Sequence, residues 1–160
     1  MIMIGRYNFM QTFFEELDIH LDDSDSLNEL PVTNLFLGNI WRLSALCEIK
    51  NFEHRRMNQE EDPFHDGEQN YHEEFYLNPV DFDQISARLK FAQEYFQKDN
   101  SKWGLGLTDL LWARTYTLKK RCMDNFNTAC RYYKSALDTF QDIHHYRATY
   151  MTQKNLIELE

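Results

Sequence analysis

The densest cluster of chemistry-bearing side chains is Phe64-His65-Asp66-Gly67-Glu68-Gln69-Asn70-Tyr71-His72-Glu73-Glu74, two imidazoles among four carboxylates. A zinc or non-haem iron centre uses such ligands, but on a rigid frame with a satisfied outer shell. This stretch has no apolar period, so a solvated loop is expected. An enzyme centred on His65, Asp66 and His72 is the least supported reading. Asp22, Asp23 and Asp25 lack both the glycine of a sharp calcium-binding turn and the glutamate that closes such a loop. Adjacent pairs such as Glu15-Glu16, Glu73-Glu74 and His144-His145 cannot converge on one atom if helical, because neighbours point to different faces. There is no glycine-rich phosphate loop, no nucleophile elbow and no His-Glu-x-x-His. No catalytic group and no cofactor is expected. Cys47, Cys122 and Cys130 form no Cys-x-x-Cys pair and read as packing residues in a reducing compartment. Only Cys122, after Lys119-Lys120-Arg121, has an electropositive setting that could activate a thiol.

A different set of residues points to binding. Arg114, Lys119, Lys120, Arg121, Arg131 and Lys134 interleave with Tyr116, Tyr132 and Tyr133. Such a stripe suits an acidic peptide, with rings supplying contact area at low entropic cost. Over the whole chain 17 basic and 26 acidic residues give −9. The distribution is uneven: residues 1–100 carry −12 and residues 101–160 carry +3. Nucleic acid is disfavoured as a partner, because most of the molecule would repel phosphate.

These side chains must be held by some frame. At 160 residues, the chain buries roughly 70% of its unfolded surface in one core without metals or disulfides. Twelve Phe, nine Tyr and three Trp against five Gly and three Pro favour helices over a many-turned β fold. The apolar start Met1-Ile2-Met3-Ile4 is cut by Gly5 and Arg6, too short for a signal core or a membrane span. The expectation is a soluble, cytoplasmic protein without a membrane partner. Apolar spacing predicts helices over about 6–20, 33–55, 81–99, 103–121 and 125–140, with a sixth from Ile143 through Tyr146, Tyr150 and Met151 to Leu156 or beyond. Asp81 is the expected cap of the third. Residues 57–79 read as a flexible acidic insert within a single domain spanning 1–160.

Shifting the chain by 44 residues aligns Asp81-Phe82 with Asn125-Phe126, Ile85 with Ala129, Leu89 with Tyr133 and Ala92 with Ala136. Ile40-Trp41 likewise echoes Leu111-Trp112. The pattern Asn125-Phe126-x-x-Ala129-x-x-x-Tyr133-x-x-Ala136-Leu137 resembles the second helix of a tetratricopeptide repeat. Ala113, Tyr116 and Thr117 depart from that family's first-helix pattern, and the closing proline after Phe140 is missing. The resemblance implies an all-α fold of stacked antiparallel helical hairpins, about two repeats plus flanking helices. An irregular helical bundle is the alternative.

The resemblance further implies a non-catalytic protein-protein interaction module or adaptor, whose groove along the first helix of each hairpin grips a peptide or partner helix. The candidate partner-binding residues are Asn39, Arg42, Arg114, Tyr116, Lys120 and Arg121. The alternative is an acidic inhibitor or immunity-type protein that covers a basic, nucleic-acid-binding partner through Asp22, Asp23, Asp25, Glu60, Glu61 and Asp62. Rings left exposed on a short stack leave a homodimer open.

Overall fold

Helix boundaries follow from side chains that satisfy the orphan backbone groups at each end. The computed structural model describes residues 34–60 and 76–160, which form five helices and no strand. They are α1 (Asn34–Glu60), α2 (Pro79–Lys98), α3 (Lys102–Leu118), α4 (Met123–Asp142) and α5 (Tyr146–Leu159). The expected helix over 6–20, the Asp22–Asp25 cluster and the His65, Asp66 and His72 segment lie outside the described residues. α1 continues five residues past its expected end, so Met57 to Glu60 belong to the helix.

The cap of α2 is Asn78, not Asp81. Pro79 at the first helical position suits a site where no amide donor is needed, and the Asn78 side chain accepts from the Asp81 N–H at 2.8 Å. Asp81 answers in the first turn, accepting from Asn78 Nδ2 at 3.1 Å. α2 and α4 end alike. Asn100 and His144 take left-handed backbone (φ 50° and 54°). The next residue's amide then reaches back to Phe96 and to Phe140, each at 2.9 Å. That 6→1 bond, with the Asn100 and His144 amides bonded to Gln97 and Gln141, is a Schellman end. Ser101 and His145 then cap α3 and α5. The last helix therefore starts at Tyr146 rather than Ile143. α3 stops at Leu118, which leaves Lys119, Lys120 and Arg121 in the connection to α4.

Short connections make successive helices antiparallel neighbours, and the contacts fix their register. In the first hairpin Gly38 faces Phe96, Trp41 stacks on Phe91 at 4.9 Å, and Ser44 accepts from Arg88. In the second, Gly106 faces Phe140, Asp109 accepts from Ser135 at 2.7 Å, and Trp112 stacks on Tyr132 at 5.6 Å. Each pair maps onto its counterpart with one shift for α1 to α3 and the 44-residue shift for α2 to α4. Ser44, not Trp41, is thus the counterpart of Trp112. The Ile40-Trp41 echo is out of register by one short turn, because the glycine-to-ring contacts and not the tryptophans set the alignment. The shift of 44 brings buried on buried at Ile85/Ala129, Leu89/Tyr133, Ala92/Ala136 and Phe96/Phe140. It also carries α3 onto α5. Thr108 and Thr152 correspond, both fully buried, both donating to the carbonyl four residues earlier. At this position α5 resembles α3.

Glycine lets these helices approach. The Phe96 ring lies between Gly38 and Gly104, and a methyl group on Gly38 would come within 2.8 Å of it. The main core gathers Ala45, Ile49, Ile85, Leu89, Leu111 and Trp112 between α1, α2 and α3. No helix among the described residues is long and apolar enough to cross a membrane.

Candidate functional site

The six partner-binding candidates fall into three places. Asn39 and Arg42 sit together on α1, where Asn39 Oδ1 accepts from the Arg42 guanidinium at 3.3 and 3.4 Å. Burial lowers the pKa of Arg42. Arg114 points from α3 to α1, giving Glu53 two hydrogen bonds of 2.6 and 2.5 Å. Lys50 approaches the same carboxylate at 3.7 Å. This fork ties the first helices of the two hairpins together, and its donors are committed inside the fold.

Tyr116 lies two residues on, roughly opposite around the helix. It packs against Phe82 of α2 at 5.5 Å and Tyr132 of α4 at 5.9 Å, away from the face that carries Arg114. The structure therefore does not bring Arg114 and Tyr116 to one surface. The Lys119 ammonium caps the cluster, 3.9 Å from the Phe82 ring centre and 5.4 Å from that of Tyr116, a cation–π arrangement.

Lys120 and Arg121 come together with Tyr116. With Lys119 they edge an open pocket of about 650 Å³ between the end of α3, the start of α4 and the end of α5. Its apolar lining comes from Met123, Phe126, Ala129 and Leu159. Glu158 is the acidic residue in the wall, and it also lies 3.7 Å from Lys154. Asn125 holds the connection in shape by donating to the Lys120 carbonyl at 2.9 Å. Among the described residues neither Lys120 nor Arg121 has an acidic partner within ion-pair distance. The three cysteines are free: Cys47 and Cys130 are buried, and Cys122 is exposed on the pocket wall. Burial raises the pKa of the Cys47 thiol, with the neighbouring Glu48 adding to the rise.

Reading the sequence found the cations of this pocket but not its apolar lining or its α5 wall. Phe126 and Ala129 were visible only as positions on a helix face. The 44-residue shift, carried one residue ahead of the helix caps, would have aligned Arg121 with Leu77 and exposed the difference between the hairpins. No group of His, Cys, Asp and Glu arranged to hold a metal occurs among the described residues. No family model, curated protein sequence or solved structure matches this chain.

Proposed function

We propose that the protein is a non-catalytic interaction module of stacked helical hairpins that receives a partner helix or peptide. One observation carries this reading: α5 repeats α3, yet its outward face has no second helix among the described residues. On α3 the side covered by α4 holds Gly106, Asp109 and Trp112. The shift places Tyr150, Gln153 and Leu156 there on α5, with Tyr150 67% exposed. Tyr146 and Ile157 are exposed on the same helix. A hairpin stack leaves an apolar edge wherever a unit is half-built, and such an edge binds or is capped. The unit of 44 residues is longer than the roughly 34 of tetratricopeptide repeats, so the likeness to that family is one of architecture.

A photo-crosslinking residue at position 150 of the full chain, compared with one at the exposed Asp83, tests the reading in native extract. A discrete stoichiometric adduct at 150 and none at 83 is expected. An adduct between two copies of the chain would make the partner a second copy and the module a self-associating one. No adduct at 150, together with turnover of a small metabolite by the purified protein, would overturn it.

A further inference from the structure

We propose that the pocket between α3, α4 and α5 docks an acidic peptide that inserts a leucine-sized side chain. This specifies a site for the interaction module and rests on that reading.

The first hairpin supplies the comparison. Leu77 stands one residue ahead of the α2 cap, is 6% exposed, and donates its amide to the Leu118 carbonyl at 2.8 Å. It fills the space beside Phe82 and Ile85 at the start of α2 and belongs to the main core. One residue ahead of the α4 cap the chain has Arg121, which is exposed. Phe126 keeps the aromatic wall of Phe82, whereas Ala129 is three carbons smaller than Ile85. The aliphatic side chain of Leu77 thus has no counterpart in the second hairpin, where Arg121 borders an open volume instead. The chemistry of the occupant follows from the lining. An apolar group is needed against Met123, Phe126 and Leu159, and carboxylates beside it are needed to meet Lys120 and Arg121.

A peptide satisfies both demands at once. A nucleic-acid strand offers phosphate to the cations but no aliphatic group to the floor, and the overall charge of −9 opposes a long polyanion. The pocket lies within the usual size range of ligand sites, roughly 300–1,000 Å³.

The probe is a fluorescein-labelled synthetic peptide with one leucine flanked by aspartates and glutamates, titrated into the full chain and read by anisotropy. Binding at low salt is expected, weakening as ionic strength rises. Replacing the peptide's leucine by serine, or the protein's Lys120→Glu with Arg121→Glu, should each weaken it by about tenfold or more. A second variant, Arg121→Leu, supplies the side chain that the first hairpin has; it should lose binding while its unfolding midpoint stays level or rises. Cys122 gives a local readout, because a seated peptide should slow its reaction with a thiol reagent, while buried Cys47 and Cys130 set the background. Equal affinity for the charge-reversed protein, an unchanged Cys122 rate, or tighter binding of oligothymidylate than of the peptide would each overturn the proposal. Failure at Cys122 with the position-150 adduct intact would remove the pocket alone. Loss of both, with metabolite turnover, would remove the interaction-module reading itself.

Discussion

Two residues decide more than their size suggests. Gly104 is buried in the first turn of α3, and a methyl group added there would meet the Phe96 ring more closely than one at Gly38 or Gly106 would meet its ring. On propensity alone, Gly104→Ala would gain about 1 kcal/mol of helix stability. The added methyl must instead displace a ring that Gly38 confines from the other side. Overpacking costs about 1–3 kcal/mol, so a lower urea midpoint is expected, partly restored by Phe96→Leu in the same chain. A raised midpoint for the single variant would mean the ring has room that the structure does not give it. Asp109 is the second case. Burial raises its carboxyl pKa above the ordinary value, and the hydrogen bond from Ser135 opposes this only in part. The folded state therefore holds that proton more tightly than the unfolded chain. Its effect on stability is unfavourable above the raised pKa and fades as pH falls through it towards the unfolded value. Asp109→Asn keeps an acceptor for Ser135 and removes the charge. Its stability at neutral pH should exceed that of the parent, the two curves converging as pH falls towards 4, near the unfolded carboxylate pKa. Asp142 behaves oppositely, since Lys102 lowers its pKa. It is fully exposed, however, and raised salt should screen it while leaving the Asp109 difference.

At the scale of helices, a two-bonded fork runs from Arg114 of α3 to Glu53 of α1. Both side chains are less than one-third exposed, so the pair keeps part of the strength that solvent removes from a surface bridge. Arg114→Gln and Glu53→Gln, singly and together, form a double-mutant cycle in chemical denaturation. A coupling of about 1–2 kcal/mol is expected; a value near zero would reduce the fork to a surface decoration and return Arg114 to the list of free partner contacts. That fork also marks what the sequence could reveal. Periodicity located all five described helices: four bury a stripe of large side chains such as Ile85, Leu89 and Phe96, and α5 shows the spacing in rings that are exposed. It also exposed the 44-residue repeat in α2 and α4. It misplaced helix ends: Asn78 caps α2 rather than Asp81, because Asn78-Pro79 is the stronger start signal and precedes the first apolar residue of the period, and the α5 cap is His145, two residues after the expected start at Ile143. It gave Arg114 to a binding groove because a one-dimensional pattern does not show which helix a charged side chain faces. Tyr146 and Tyr150 made the α5 pattern visible, yet both are exposed and Thr152 is the residue that α5 buries. A ring marks helical spacing equally well whether it faces a neighbouring helix or not.

Among the described residues each helix packs mainly on its neighbours in sequence, with a smaller contact between α1 and α3, which is the pattern of a short linear stack. Stability in such an array is close to a sum of unit and interface contributions, so its ends open before its middle. α3 lies between α1, α2 and α4 and holds Leu111, Trp112, Ala113, Thr115 and Leu118 buried. Among the described residues α5 packs mainly on α4 and buries Thr152. Native-state hydrogen exchange should therefore give α5 amides an opening free energy well below that of α3 and α4, with weak urea dependence because little surface is exposed on its release. If α5 exchanged only with global unfolding, it would be an integral part of one cooperative core rather than an open repeat edge. The same measurement bears on the pocket, because Glu158 and Leu159 of α5 form one of its walls. A ligand that binds only the closed arrangement raises the free energy of opening as the logarithm of one plus the ratio of its concentration to its Kd. The acidic leucine peptide should thus slow exchange selectively along α5, in the wild type and not in Arg121→Leu. An end helix that is loose alone and firm when the pocket is filled would couple the charge asymmetry of the chain to the unfinished edge of its stack.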